Sequence, residues 1–213
     1  MMNADIIMIA KAPVAGRVKT RLTPVYTPAE AAMLAEAALR DSLAAVMAAP
    51  AGRRMLALDG IAGPWLPDGV AVVAQRGDGL DERLACAFED AYAGRPLILI
   101  GMDTPQVTPA LLAAARAALR SHDAVFGPAT DGGFWLLGLL RPDPTLLLGV
   151  PMSHPDTGRV QLDRLNRAGL AVAALPTLTD VDTPDTAAEV AVAAPNSRFA
   201  ASVRALGRTA IAI

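Results

Sequence analysis

The chain has 213 residues, 53% of them hydrophobic and only 4% aromatic, with a formal net charge of −2. That length suits one α/β domain whose core is made of Ala, Leu and Val, and the near-neutral balance argues against nucleic acid as the main partner. One cysteine, Cys86, and two histidines, His122 and His154, exclude an intramolecular disulfide, a cysteine-cluster metal site and a His-rich metal centre.

No apolar run reaches the roughly 18 residues needed to span a membrane. Met1 to Ala10 lacks the basic start and small-residue cleavage site of a signal peptide. The expectation is a cytoplasmic protein with no membrane partner.

Asp5 to Ala10 reads as a first strand, apolar on both faces. It runs into a basic loop, Lys11 to Leu22, with Lys11, Arg17, Lys19 and Arg21 and no acidic residue between Asp5 and Glu30. Thr27-Pro-Ala-Glu30 is a capping box with Pro at the first helical position, opening a helix to about Ala48. Arg54 to Asp59 and Val70 to Ala74 read as strands, and Gly77-Asp-Gly79 precedes a helix over Leu80 to Ala91.

Leu97 to Ile100 is a short apolar run, the pattern of a strand buried on both faces, with Asp103 just past its carboxyl end. Thr108-Pro109 starts a helix to about Arg120, and Asp123 to Gly127 is another strand. Thr130 to Gly133 is a tight turn before a strand over Phe134 to Leu140. Pro142 to Pro155 is loop-rich, Thr157 to Ala168 helical, and Leu170 to Leu175 a last strand. Thr183 caps a helix over Pro184 to Ala193, and a final helix covers Phe199 to Leu206. Strands alternating with helices predict a single domain with a doubly wound, mostly parallel, Rossmann-like sheet.

Four segments at strand ends carry polar groups that a plain scaffold does not need. The basic loop holds both lysines of a chain that otherwise uses 17 arginines. A compact ammonium suits a phosphate oxygen as a point charge. Gly16-Arg-Val-Lys-Thr20 is not a Walker loop, and no Gly-x-Gly-x-x-Gly follows the first strand. Asp103 is placed to hold a divalent cation against a phosphate, or else to cap a turn.

Asp180-Val-Asp182 supplies a second carboxylate able to meet Asp103 over one Mg²⁺, with Asp180 read as structural. In Asp131-Gly132-Gly133 the glycines permit close backbone approach to a ligand, although a hairpin turn explains them equally. Gln75, Gly77 and Gly79 are weaker candidates for contacting a base. His154 is a weaker candidate still, in a loop that could border this region, since an exposed histidine is usually bland. Cys86, Trp65, Trp135 and the methionines read as packing.

Ala10 to Leu22, Ile100 to Gln106, Gly127 to Gly138 and Thr179 to Pro184 together resemble a family of small bacterial transferase-like proteins. These have the nucleotide-diphospho-sugar transferase (GT-A-like) fold. Many are described as glycosyltransferase-like or as radical-SAM/selenodomain-associated transferases, related to phospholactate and molybdenum-cofactor guanylyltransferases. The resemblance spans about Ile6 to Ala193. It implies that Lys11, Gly16, Arg17, Lys19 and Arg21 lie on the nucleotide-phosphate loop and that Asp103 and Asp182 are the metal carboxylates. Asp131, Gly132 and Gly133 would face the acceptor, and Gln75 to Arg83, with Gly79, the base. Asp81 stands where the pattern has glycine, Met102 and Thr104 replace the usual Ser and Cys, and Met152 to Gly158 departs from the pattern.

The first expectation is a nucleotidyltransferase in which a small phosphorylated or anionic acceptor attacks the α-phosphorus of an NTP and pyrophosphate leaves. Mg²⁺ (or Mn²⁺) on Asp103 and Asp182 and the cations around Lys19 would stabilise the charge. The alternative is a glycosyltransferase using a nucleotide sugar, with Asp131 the one carboxylate available at the sugar carbon. A nucleotide-binding protein without turnover is the third. A phosphatase of Asp-x-Asp type is set aside, because no lysine follows Asp182.

Overall fold

The computed structural model describes residues 3–207. Seven strands form one sheet: β1 (Asp5–Lys11), β2 (Arg54–Asp59), β3 (Ala71–Ala74), β4 (Leu97–Ile100), β5 (Ala124–Pro128), β6 (Phe134–Leu139) and β7 (Val172–Ala174). Six helices cover it: α1 (Pro28–Ala48), α2 (Leu80–Ala91), α3 (Pro109–Ala118), α4 (Thr157–Arg167), α5 (Pro184–Ala193) and α6 (Arg198–Leu206).

The spatial order is β3-β2-β1-β4-β6-β5-β7, and β6 alone runs antiparallel to its neighbours. Strand order reverses between β1 and β4, which pair in parallel. Such a switch point opens a crevice outside the carboxyl ends of the strands. Because β6 is reversed, its amino end lies at that same edge. The turn of Asp131 to Gly133 therefore joins the loops that follow β1, β4 and β7.

Alternation along β1 explains why the sheet is covered twice. Ile6, Met8 and Ala10 pack with Leu39, Leu43, Leu112 and Leu119 on one face. Ile7 packs with Leu84, Phe88, Leu99 and Leu165 on the other. Helix α1 opens with the expected capping box, Thr27 N–H donating to Glu30 at 2.7 Å and Glu30 N–H to Thr27 Oγ1 at 3.3 Å. It is apolar on nearly all sides, which a helix tolerates only when both faces are covered. Its outer face carries Leu34 and Ala38 into a third apolar cluster with Leu22, Tyr26, Val181, Val190 and Phe199.

Several boundaries differ from the sequence reading. The last strand shrinks from 170–175 to Val172–Ala174, since it pairs only with β5 and Pro176 follows. The third starts one residue later, at Ala71. Helix α3 stops at Ala118, short of Arg120, and α4 at Arg167. Within the basic loop, Thr20–Leu22 forms a short 3-10 turn.

Phe199 is fully buried where α6 closes the third cluster. Phe199→Ala is expected to destabilise the fold by about 3 kcal/mol or more, measured as a fall in the urea midpoint at constant slope.

Candidate active site

The basic loop reaches the switch point through its apolar residues. Val18 and Leu22 are buried on either side of Lys19, and Lys19 itself adopts a left-handed conformation (φ 49°, ψ 38°). That turn sends the side chain inward: it is only 9% exposed, and Nζ lies 2.8 Å from Asp103 Oδ1. The accepting oxygen is shielded from water and takes no aligned hydrogen bond from the described residues. Arg21 is largely exposed and sets Nη1 2.5 Å from Asp182 Oδ2. Lys11 ends β1 beside the β4 loop, its N–H 3.3 Å from Met102 Sδ. Lys11 and Arg17 are exposed and have no ion-pair partner among the described residues, while Gly16 (φ +77°) faces open space.

The two acidic loops are tied by backbone. Val181, buried in the third cluster, donates its N–H to the Asp103 carbonyl at 2.9 Å. Gln106 Nε2 donates to the Thr179 carbonyl at 2.8 Å, and Asp182 N–H to Thr186 Oγ1 at 2.9 Å. The cap of α5 is Thr183, so Asp182 keeps its carboxylate free of capping duty.

Asp180, which the sequence reading set aside as structural, lies in the charge field of this site. Burial and the like charges of Asp103, Asp131 and Asp182, only partly offset by Lys19, push its carboxyl up to about 7. A signal for it was present. In an extended segment, residues two apart share a side, so a buried Val181 puts Asp180 and Asp182 together on the other.

The turn after β5 is exposed at Asp131, whose Oδ1 accepts the Gly133 N–H at 2.8 Å. Gly132 has φ +88°, and a Cβ there would stand 1.9 Å from the Pro155 carbonyl oxygen. The departing segment Met152 to Gly158 is thus packed directly on this turn.

On the opposite flank, Gln75 donates its side-chain amide to the carbonyls of Ala10 at 2.7 Å and Ala57 at 3.0 Å. It stitches β1 to β2, and only its Oε1 remains to offer a base. Gly79 is the N-cap of α2. Asp81 accepts the Gly149 N–H at 2.8 Å, which gives the residue that replaces glycine a structural role.

The donor set fits a divalent cation of the magnesium class in part. Asp103 and Asp182 carry hard oxygen donors, the Asp103 Oδ1 shielded and poorly satisfied, and Asp180 lies in their charge field. No cluster of three or more acidic, His or Cys side chains among the described residues forms a ready-made cage, since Lys19 and Arg21 hold two of the carboxylates. Magnesium binds in that manner, by one or two carboxylates plus substrate phosphates. Two surface depressions, about 450 Å³ beside α1 and α6 and about 610 Å³ near Asn3, Arg95 and Arg141, lie apart from this acidic cluster. Among the described residues no helix is long and apolar enough to cross a membrane.

Asp180 makes stability depend on pH. Its carboxyl titrates near 3.8 when unfolded and near 7 when folded, so the folded chain holds the proton more tightly. The linked stability is fully present below pH 3.8 and is lost as pH rises to about 7, at up to roughly 1.4 kcal/mol per pH unit. Urea titrations from pH 4 to 8 should show this decline in the wild type and a flatter profile in Asp180→Asn.

The chain belongs to DUF2064, a family described as an uncharacterized protein conserved in bacteria, whose model matches residues 33–154. That span includes Asp103 and Asp131 but neither the basic loop nor Asp180 and Asp182. No curated protein matches the chain. Among solved structures it is similar to a candidate nucleotide-diphospho-sugar transferase from Desulfovibrio desulfuricans G20. The identity is 30%, with 97% of each chain covered and a TM-score of 0.84. It shares its fold with Rv0371c of Mycobacterium tuberculosis H37Rv, a structure in complex with manganese, at 23% identity. There 89% of this chain and 98% of that one are covered, at a TM-score of 0.53. It also shares it with 2-C-methyl-D-erythritol 4-phosphate cytidylyltransferase from Thermus thermophilus. That match is at 16% identity over 97% and 100% of the two chains, with a TM-score of 0.54. The α/β, Rossmann-like nucleotide-diphospho-sugar transferase fold expected from the sequence is the fold observed, and the cytidylyltransferase shares it.

Proposed function

We propose that this chain is a divalent-metal-dependent nucleotidyltransferase, acting as one nucleotide-binding domain in the cytoplasm. It moves an NMP from an NTP to a small phosphorylated or anionic acceptor. The observation that carries this reading is the Lys19–Asp103 pair, its ammonium nearly buried and its carboxylate partly open, on a loop with three further cations and close to the carboxylates of Asp180 and Asp182. An acceptor oxygen forms a bond to the α-phosphorus, the bond from that phosphorus to the bridging oxygen breaks, and pyrophosphate leaves with the electron pair.

Lys19, Lys11, Arg17 and Arg21 supply the positive charge that a triphosphate needs, and catalysis is mainly positioning and electrostatics. Asp103 and Asp182, with Asp180 behind them, would hold Mg²⁺ or Mn²⁺, which when bound neutralises phosphate charge. Asp131, Gly132 and Gly133 form the acceptor side. Gln75 and Gly79 border the base. The cytidylyltransferase and manganese-bound structures of the same fold support the reading. Glycosyl transfer from a nucleotide sugar is the second reading, favoured by the designation of the 30%-identical relative. Asp131 would then stand at the sugar carbon.

A thermal-shift panel of four NTPs and common nucleotide sugars, each with and without Mg²⁺ or Mn²⁺, tests the choice. One NTP at 100 times its dissociation constant should stabilise by about 2.7 kcal/mol, only with metal, and Asp103→Ala should abolish this. Stabilisation by a nucleotide sugar alone favours glycosyl transfer, and silence across the panel removes the nucleotide site altogether. Lys19→Ala should weaken NTP binding by about tenfold or more, read by calorimetry, because a charge-assisted contact is lost.

A further inference from the structure

At the sheet edge opposite the candidate active site, the antiparallel β4–β6 ladder runs on into two arginines. Leu97 pairs with Leu139, and the same register carried two residues further sets Arg95 opposite Arg141. Like charges directly opposite each other across a ladder repel. Both arginines line one surface depression of about 610 Å³, together with Asn3, Tyr92, Pro96 and Leu140. Register and cavity thus place the two guanidinium groups around the same space.

Scaffold duties do not account for this pair. The carboxylate beside Arg95 is that of buried Asp5, and Arg53 already holds it, donating Nε to Oδ2 and its N–H to Oδ1, each at 2.8 Å. Arg95 approaches Asp5 only to 3.5 Å and stays half exposed. The end of α2 is also served by Arg53, whose Nη2 donates to the Ala91 carbonyl at 2.5 Å. Asp123 Oδ2 accepts the Ala171 N–H and Asp143 Oδ1 the Thr145 N–H, and Arg141 pairs with neither. The side chains of Asn3, Tyr92 and Arg141 have no hydrogen-bond or ion-pair partner among the described residues. Arg53, Arg95 and Arg141 set against Asp5 leave a surplus of two positive charges.

Two guanidiniums, a phenol hydroxyl and a carboxamide therefore gather around excess positive charge, and all of them donate hydrogen bonds. A phosphate dianion carries the matching charge and offers oxygens enough for every donor. The depression is larger than a bare phosphate needs, and the half-exposed Tyr92 ring with Pro96 and Leu140 supplies an apolar wall. We propose that this depression binds a small phosphate monoester, its phosphate bridging Arg95 and Arg141 and its apolar body lying against Tyr92. The site lies at the amino ends of the strands and is independent of the nucleotidyl-transfer reading.

The chain has two tyrosines, Tyr26 buried and Tyr92 exposed, so fluorotyrosine labelling gives a local probe by fluorine NMR. Phenyl phosphate should move the Tyr92 signal saturably, with Tyr92→Phe assigning it, and leave Tyr26 still. Arg141→Gln should weaken this binding about tenfold or more, because a charge-assisted contact is lost. Its thermal midpoint should match the wild type, since the replaced side chain has no partner among the described residues. Inorganic phosphate should bind more weakly and phenol not at all, while Lys19→Ala should leave the Tyr92 response unchanged. A Tyr92 signal that phenyl phosphate does not move overturns the site. A response that survives Arg141→Gln, or that disappears in Lys19→Ala, overturns it equally. Inorganic phosphate binding as tightly as phenyl phosphate overturns the apolar half of the proposal, and a response to phenol overturns the phosphate half.

Discussion

A single backbone hydrogen bond, from Val181 N–H to the Asp103 carbonyl, joins the loop after β4 to the loop after β7. With the Gln106 side-chain bond to the Thr179 carbonyl, it holds Asp103 near Asp180 and Asp182. Carboxylates of like charge repel, and Asp180 is pushed up to about 7 first by burial and then by the charges of Asp103 and Asp131. Such groups stay together only if their backbones are held by something other than their own attraction. Here that something is Val181, anchored by burial against the outer face of α1 with Leu22 and Phe199. The same cluster fixes the end of the basic loop, so one apolar contact set aims both the cations and the anions.

This explains why α1 is long and apolar on nearly every side. Its inner face completes the sheet's core, while its outer face serves as the floor on which Leu22 and Val181 rest. The polar groups then extend from rigid supports toward the switch point between β1 and β4. Lys19, drawn inward by its left-handed turn, compensates Asp103 in the free protein. That pairing limits the repulsion among the carboxylates. Such a site suits chemistry that works by positioning and charge, with no protein nucleophile required.

Much of this was legible in the residues. The placement of both lysines in one loop singled out the segment whose Lys19 meets Asp103, and Asp103 stands past the carboxyl end of a fully buried strand as its apolar run implied. Other features were not. Gln75 looked free to meet a base, but its amide is spent on two strand carbonyls that lie 65 and 18 residues away in sequence. Asp180 looked structural because its neighbours in space, Asp103 and Asp131, are distant in the chain. Met152 to Gly158 looked like an ill-fitting loop until Gly132 and Pro155 were seen in contact.

The sequence by itself determined what is local. Apolar runs, Thr-Pro caps and Gly-rich turns respond to neighbours a few residues apart, and they set the strands, the helices and the loops that carry charge. Only the tertiary structure decided the reversal of β6, which brings the Asp131 turn to the same edge as Lys19, Asp103 and Asp182. It likewise decided which carboxylates share a field. Those outcomes depend on charge and contact between segments far apart in the chain. Coulomb interactions and close packing are functions of distance in space, and no spacing along the sequence encodes that distance.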